Sequence, residues 1–319
     1  MKKFLIIRFS SIGDIVLTTP VIRCLKEQGG GEVHFITKSA FKGILGQNPY
    51  IDKLITIDNE ITEVLEELKK EEYDHIIDLH HNLRSLRLKK ALGRPATAFP
   101  KLNFEKFLLT SLKINKMPDV HVVDRYFETV KKLGITNDGT GLDYFIPEKD
   151  VVDLNNYNLP NKYVVFAIGA QFATKRLPNE KIIEIIKQID FPVVLLGGPT
   201  DFENAIEIKS RCEVIDLVGQ VNINQSASIV QQAKKVITHD TGMMHIAVAF
   251  KKPIISIWGN TVPSLGMYPY YPNHPELYSI HEVNVKCRPC SKIGYQKCPK
   301  KHFKCMLEQD VNAIVDAIN

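Results

Sequence analysis

No stretch of this 319-residue chain approaches the roughly 18 continuous apolar residues that a membrane-spanning helix needs. The first apolar run, Phe4 to Ile7, is cut by Arg8 after four residues, short of the about 7–15 of a secretory h-region. Neither a spanning helix nor a cleaved signal is therefore expected, and the expected location is the cytoplasm. The net charge is only +5, too small by itself to argue for nucleic acid. No interleaved aromatic and basic platform for single strands supports it either. The dinucleotide fingerprint G-x-G-x-x-G is missing after the first strand of either half, which argues against a dehydrogenase. No Asp-x-Asp pair follows any expected strand, so the usual carboxylate site for a sugar-nucleotide metal is lacking. Low-complexity sequence is also lacking.

What is present is ordinary globular material: 44% hydrophobic and 24% charged residues, enough for a sizeable core. Short runs rich in Val, Ile and Leu alternate with helical patterns. "KFLIIRF", "EVHFIT", "KLITI" and "HIIDL" form one series. "KYVVFAIG", "PVVLLGG", "EVIDLVG", "KKVITH" and "KPIISIWG" form another. Unbroken apolar runs read as strands buried on both faces, and helices between them imply parallel β-α-β units. The pattern weakens between Arg94 and Lys149. A boundary is placed in "VVDLNNYNLP", Val151 to Pro160, giving two doubly wound α/β domains, 1–152 and 153–319. The last helix is a candidate to pack back on the first domain.

In such sheets ligands sit at the carboxyl ends of strands, so the residues just after apolar runs carry the information. "RFSSIGDIVLTTP" places Ser11, Gly13 and Asp14 between a strand and a helix expected over Ile15–Gln28. Helix starts favour anions, yet Asp14 is itself negative and would repel a phosphate. The junction is either a plain helix start or a catalytic carboxylate facing another part of a substrate. In "VITHDTGMMHIAVAF", Asp240, Thr241 and Gly242 open a helix whose free N–H groups, through Met243 and Met244, suit an anion. Taken alone, Asp240 reads best as a helix cap. His245, one turn in, reads equally as packing or as chemistry. In "IGAQFATKRLP", Gln171 and Lys175 precede Pro178 at a helix start. Lys175 reads either as a solvated lysine or as a phosphate ligand acting as a point charge. "IWGNTVP" forms a tight loop after the next strand.

Taken together, "RFSSIGDIVLTTPVIRCLK", "IIDLHHNLRS", "GAQFATKRLP", "HDTGMMHIAVAFKKPIISIWGNTVP" and the late cysteine segment resemble glycosyltransferase family nine, the ADP-heptose:lipopolysaccharide heptosyltransferases. The resemblance implies a GT-B fold, two Rossmann-like domains facing a central cleft, with the acceptor on the first and the ADP-sugar on the second. It implies inverting transfer of a heptose from ADP-L-glycero-β-D-manno-heptose to a lipopolysaccharide inner-core acceptor, with no required cofactor. By motif, Asp14 takes the place of the general base, with Ser11 and Gly13 on the acceptor side. Lys175 takes the place of the donor-phosphate lysine, and Gln171, Asp240, Thr241, Gly242, Met243 and His245 line the donor. Leu177 stands where the family often has Trp, and Asn260 where it often has Pro. The competing readings are a relative with another nucleotide sugar or acceptor, and a catalytically silent nucleotide-sugar or zinc-binding module.

Arg84 in "NLRSLRLKKAL" is assigned to an acceptor carboxylate or phosphate, because Arg binds such groups in a bidentate manner. Lys89 and Lys90 are read as a solvated basic face. "LNFEKFLLTSLKINK" mixes apolar and basic residues, as a segment meeting an anionic membrane does, or as an amphipathic helix packed on the sheet. The expected partners are thus an ADP-sugar and a lipopolysaccharide-type acceptor at the inner face of the cytoplasmic membrane, with peripheral attachment and no nucleic acid. Four of the six cysteines, Cys287, Cys290, Cys298 and Cys305, fall in "CRPCSKIGYQKCPKKHFKCM". They are read as a structural zinc set, reduced packing thiols or a labile disulfide.

Overall fold

The computed structural model describes residues 1–319. The chain divides into two compact units, residues 1–101 with 120–147, and 102–119 with 148–319. The division at 147/148 lies five residues before the expected 152/153, and a short excursion of the N-terminal half groups with the second unit.

The first unit is built on a parallel sheet of β1 (Lys3–Ile7), β2 (Glu32–Lys38), β3 (Lys53–Ile57), β4 (His75–Asp78) and β5 (Ala96–Ala98), ordered β3-β2-β1-β4-β5. Ile7 pairs with Ile36 on one side and with Asp78 on the other. Leu5, Ile7, Phe9, Ile36 and Ile76 are buried in one core cluster. This is what the apolar runs required. The expected helix over Ile15–Gln28 is instead two, Ile12–Val16 and Thr19–Gly29. Pro20 has no N–H for the Val16 carbonyl four residues back. The Thr19 hydroxyl donates to that carbonyl at 2.7 Å, and the Thr18 hydroxyl to Ile15 at 2.7 Å.

The second unit carries six parallel strands: β6 (Val164–Ala167), β7 (Val193–Leu196), β8 (Ile215–Asp216), β9 (Lys235–His239), β10 (Ile254–Trp258) and β11 (Tyr278–Glu282). Their order is β11-β10-β9-β6-β7-β8. The apolar pattern does not announce β11: at the sheet edge it is only half-buried, so "YSIHE" lacks an unbroken apolar run. The C-terminal helix, Val311–Ile318, lays Val311, Ile314, Val315 and Ile318 into the second unit's core beside Ile182, Ile186 and Ile257.

Each sheet reverses its strand order once, between β1 and β4 and between β6 and β9. Such reversal points open a crevice at the strands' carboxyl ends. The residues singled out by their place after apolar runs cluster there. No helix is long and apolar enough to cross a membrane.

Candidate active site

In the first unit, the chain leaves β1 through Arg8 to Ser11 and enters the helix Ile12–Val16, with Asp14 in its first turn. Positive partial charge at a helix start favours a carboxylate there. Asp14 Oδ2 accepts from the Ser11 hydroxyl at 2.8 Å, and Oδ1 lies 2.6 Å from the Arg8 guanidinium. Gly13 is buried beneath this turn and Ser11 is exposed at its rim.

Arg8 is fixed on every side. Its Nη1 donates to the Leu79 carbonyl at 2.5 Å and to the Tyr126 hydroxyl at 3.1 Å, and its Nε to the Ser10 carbonyl at 2.7 Å. Burial opposes its charge, but the Asp14 carboxylate and the neighbouring acidic groups outweigh that and hold its pKa above the usual guanidinium value. The same environment suppresses cation formation nearby. Burial, and then the Arg8 charge, pushes His80 down to about 4. Burial raises Tyr126 to about 12. The sequence contains the signal for Arg8, a charged residue ending an apolar strand, although its pairing with Asp14 is visible only in the fold.

In the first turn of the helix that follows β4, Arg84 stacks over the Phe9 ring at 5.6 Å and, with Asn82 and Arg87, lines a cavity of about 420 Å³. Lys89 is not on a solvated face. It forms a 2.7 Å ion pair with Asp78, which is fully buried. A buried carboxylate left alone would be costly, and the helix Leu83–Leu92 delivers the lysine to it. Lys90 is exposed as expected.

In the second unit, Asp240 follows β9 but does not cap the next helix. Thr241 takes the cap position, with extended backbone, ahead of the helix Gly242–Ala249. The Asp240 carboxylate instead accepts from Lys175 Nζ at 2.5 Å and from the Thr261 hydroxyl at 2.9 Å. Lys175 Nζ also donates to the Asp240 carbonyl at 3.1 Å. A lysine from the loop after β6, a carboxylate from the end of β9 and a hydroxyl from the loop after β10 are thus joined beside a helix start. Met243 is partly exposed on the first turn, whereas His245 is buried. Gln171 is exposed, and its carbonyl accepts from the Gln296 side chain at 3.1 Å.

Two features of this site escape a reading of the sequence. His239, the last residue of β9, is fully buried, and burial pushes its pKa down to about 3. The neutral ring accepts the Leu177 N–H at Nε2, 3.0 Å away, which ties the Lys175 loop to the strand. The cysteine segment supplies the second brace. Arg288 donates to the carbonyls of Gly259 and Thr261. Thr174 is bonded to Asn260 Oδ1 at 3.0 Å and receives the Tyr295 N–H at 2.8 Å. Asn260, the departure from the usual Pro, is therefore a buried crosslink: its amide also donates to Ser291 at 3.2 Å. Gly259 is required by close approach, since a Cβ there would lie 2.5 Å from the Thr174 carbonyl.

The late cysteines are free thiols. Cys287 Sγ lies 3.7 Å from His302 Nε2, and Cys290 Sγ faces the Cys287 carbonyl at 3.3 Å. Burial, and for Cys290 the neighbouring Cys287, raises Cys290 and Cys305 to about 11, so both are protonated at neutral pH. No three His, Cys, Asp or Glu side chains are gathered so as to hold a metal ion. The segment's work here is done by Arg288, Ser291 and Tyr295.

Among known proteins, the chain is 25% identical over 294 residues to lipopolysaccharide heptosyltransferase 1 of Campylobacter coli, covering 81% of this chain and 84% of that protein. The crystal structure of the glycosyl transferase family 9 from Veillonella parvula DSM 2008 superposes with a TM-score of 0.74 at 22% identity, over 88% of this chain and 85% of that one. E. coli heptosyltransferase WaaC with ADP-2-deoxy-2-fluoro heptose superposes with a TM-score of 0.69 at 20% identity, over 99% and 98%. Both likenesses establish the shared GT-B fold. The profile of glycosyltransferase family 9 (heptosyltransferase) matches residues 61–296, which include Lys175, Asp240 and Thr261. This chain therefore belongs to glycosyltransferase family 9, the heptosyltransferases, and is a glycosyltransferase.

Proposed function

We propose that the protein transfers a heptose from ADP-L-glycero-β-D-manno-heptose to a lipopolysaccharide inner-core acceptor, with inversion and without a required metal ion. The observation that carries this reading is the pairing of Lys175 with Asp240 beside the helix start at Thr241. Lysine and free helix N–H groups are the charge a diphosphate needs. The named relative acts on lipopolysaccharide, and the WaaC structure was solved with an ADP-heptose analogue, which supports this donor and acceptor.

On this reading one unit activates the acceptor and the other holds the leaving group. An acceptor hydroxyl oxygen attacks the anomeric carbon of the donor from the face opposite the leaving group. The bond from that carbon to the diphosphate oxygen breaks, and its electron pair leaves with ADP. Asp14 takes the hydroxyl proton. Its carboxylate is held in place by the Arg8 guanidinium at 2.6 Å and by the Ser11 hydroxyl at 2.8 Å. When the diphosphate binds, Lys175 exchanges Asp240 for phosphate oxygens, and Thr261 retains the carboxylate. Charge building on the departing ADP is then met by preorganised donors. The protein works at the inner face of the cytoplasmic membrane, attached peripherally.

The test is a transfer assay with ADP-heptose and deacylated core acceptor, run with and without EDTA while thermal stability is followed. Transfer that survives EDTA supports the reading. Activity lost at unchanged stability and restored by Mg²⁺ would overturn the metal-free mechanism. Mass spectrometry of lipopolysaccharide from a strain lacking the protein tests the acceptor.

A further inference from the structure

The excursion that groups with the second unit, residues 102–119, opens with a helix, Asn103–Phe107, that continues through a wider helical turn, Leu108–Leu112. Such a segment ordinarily folds because it buries an apolar face. Here only Leu109 is buried in those two turns. Phe104 is 69% exposed, Phe107 54%, Leu112 55% and Ile114 47%. Phe104 and Phe107 are three residues apart and share a helix face. Single exposed apolar residues are common, but a run of large ones marks a contact surface.

The charges around them are mostly positive. Lys101, Lys106, Lys113 and Lys116 surround the apolar residues, and Glu105 is the sole carboxylate between Lys101 and Lys116. Lys113 Nζ donates to the Thr110 and Pro289 carbonyls, each at 2.6 Å, which seats the end of the helical segment against the cysteine segment. The segment is thus held at its far end and by Leu109, with its aromatic side outward.

We propose that residues 101–116 form a membrane-docking wedge, which sets Phe104, Phe107, Leu112 and Ile114 into the surface of an anionic bilayer while Lys101, Lys106 and Lys116 meet its headgroups. Aromatic and aliphatic side chains on one face with lysines around them match the headgroup–acyl boundary. An anionic lipid surface supplies the charge the lysines complement. The proposal deepens the reading that the protein works at a membrane face and rests on it. It adds the surface that makes the contact.

The test is co-sedimentation of the full chain with vesicles of phosphatidylglycerol and phosphatidylethanolamine, against vesicles of phosphatidylcholine alone. Binding to the anionic vesicles only, weakened by raised salt, is expected. F104S/F107S should lower partitioning about tenfold or more. K106Q/K116Q should lower it by about fivefold per lysine. Because the double variants must be shown to fold, Phe107→Trp provides an independent reading. The native chain has one Trp, the buried Trp258. A blue shift of the added indole fluorescence on anionic vesicles, quenched by brominated acyl chains, supports insertion. Equal binding to both vesicle types, no binding, or an unshifted emission spectrum of the Phe107→Trp variant overturns the proposal. So does a change of oligomeric state in F104S/F107S with vesicle binding unchanged, which would assign the face to a second copy. ADP affinity measured without vesicles tests the catalytic reading separately, so either can fail while the other stands.

Discussion

The two units each place a cation–carboxylate pair at the point where strand order reverses, and the pairs are built differently. In the first, Arg8 is nearly buried and bonded to two carbonyls and a tyrosine hydroxyl as well as to Asp14. In the second, Lys175 meets only Asp240, through its carboxylate and its carbonyl. A guanidinium held by several fixed acceptors is a permanent part of the scaffold. An ammonium on a flexible stem, with one partner, is free to change partner. The same electrostatic pairing therefore does two jobs: Arg8 orients a carboxylate that must stay, and Lys175 waits for an anion that has yet to arrive.

The sharpest test of this contrast removes the carboxylate of the first pair. Asp14→Asn should lower transfer about 100- to 10,000-fold while leaving ADP affinity unchanged, because the base is lost and the donor site is not touched. Near-normal turnover with a defined acceptor would break the assignment. Removing the mobile cation should have the opposite signature. Lys175→Ala should weaken ADP binding by roughly 10- to 100-fold, the worth of a hydrogen bond to a charged group, and lower the rate as well. Calorimetry showing unchanged ADP affinity would leave Lys175 a structural partner of Asp240 alone.

Arg8→Met separates scaffold from chemistry. Breaking a buried pair costs about 3–5 kcal/mol, so the melting midpoint should fall. Loss of the guanidinium also removes a contact that fixes the Asp14 carboxylate. Transfer should then fall about tenfold or more at unchanged ADP affinity, because the base is no longer held in place. A rate that keeps its value would show that Arg8 supports the fold without positioning Asp14.

The smallest effect concerns the two buried histidines. His80 and His239 have pKa values of about 4 and about 3 in the fold, against about 6.5 for a free imidazole. Both are neutral when folded, so the unfolded chain binds more protons below about pH 6.5. The stability their neutrality allows is complete above that pH and is lost as pH falls toward 4 and then 3. His239→Gln can still accept the Leu177 N–H, and it should flatten this fall from about pH 6.5 downward, because the proton that only the unfolded His239 binds there is gone. Melting midpoints between pH 7 and pH 4 that coincide for variant and native chain would remove His239 from the account.

Much of this was legible in the chain. Apolar runs such as "KFLII" and "KYVVFA" have one stable use when helices separate them, and that use is a parallel sheet. The carboxyl ends of those strands then fix where Asp14, Lys175 and Asp240 stand, since backbone continuity leaves no alternative. Short or edge strands were less legible. Ala96–Ala98 and Tyr278–Glu282 are held by pairing with a neighbour rather than by their own apolarity.

The sequence by itself determined two α/β units, their strand ends and the residue types at them, because local periodicity and burial preference are written residue by residue. Partnerships were decided only by tertiary structure. Asp240 read as a cap until the loops after β6 and β10 brought Lys175 and Thr261 to it. Lys89 read as solvated until the helix following β4 laid it against the buried Asp78. The cysteine segment read as a zinc set, packing thiols or a labile disulfide, and only the fold shows Arg288 and Tyr295 bridging it to Gly259 and Thr174. Charge and hydrogen-bond energies fall steeply with distance, and the distance between residues far apart in the chain is set only when the sheets assemble.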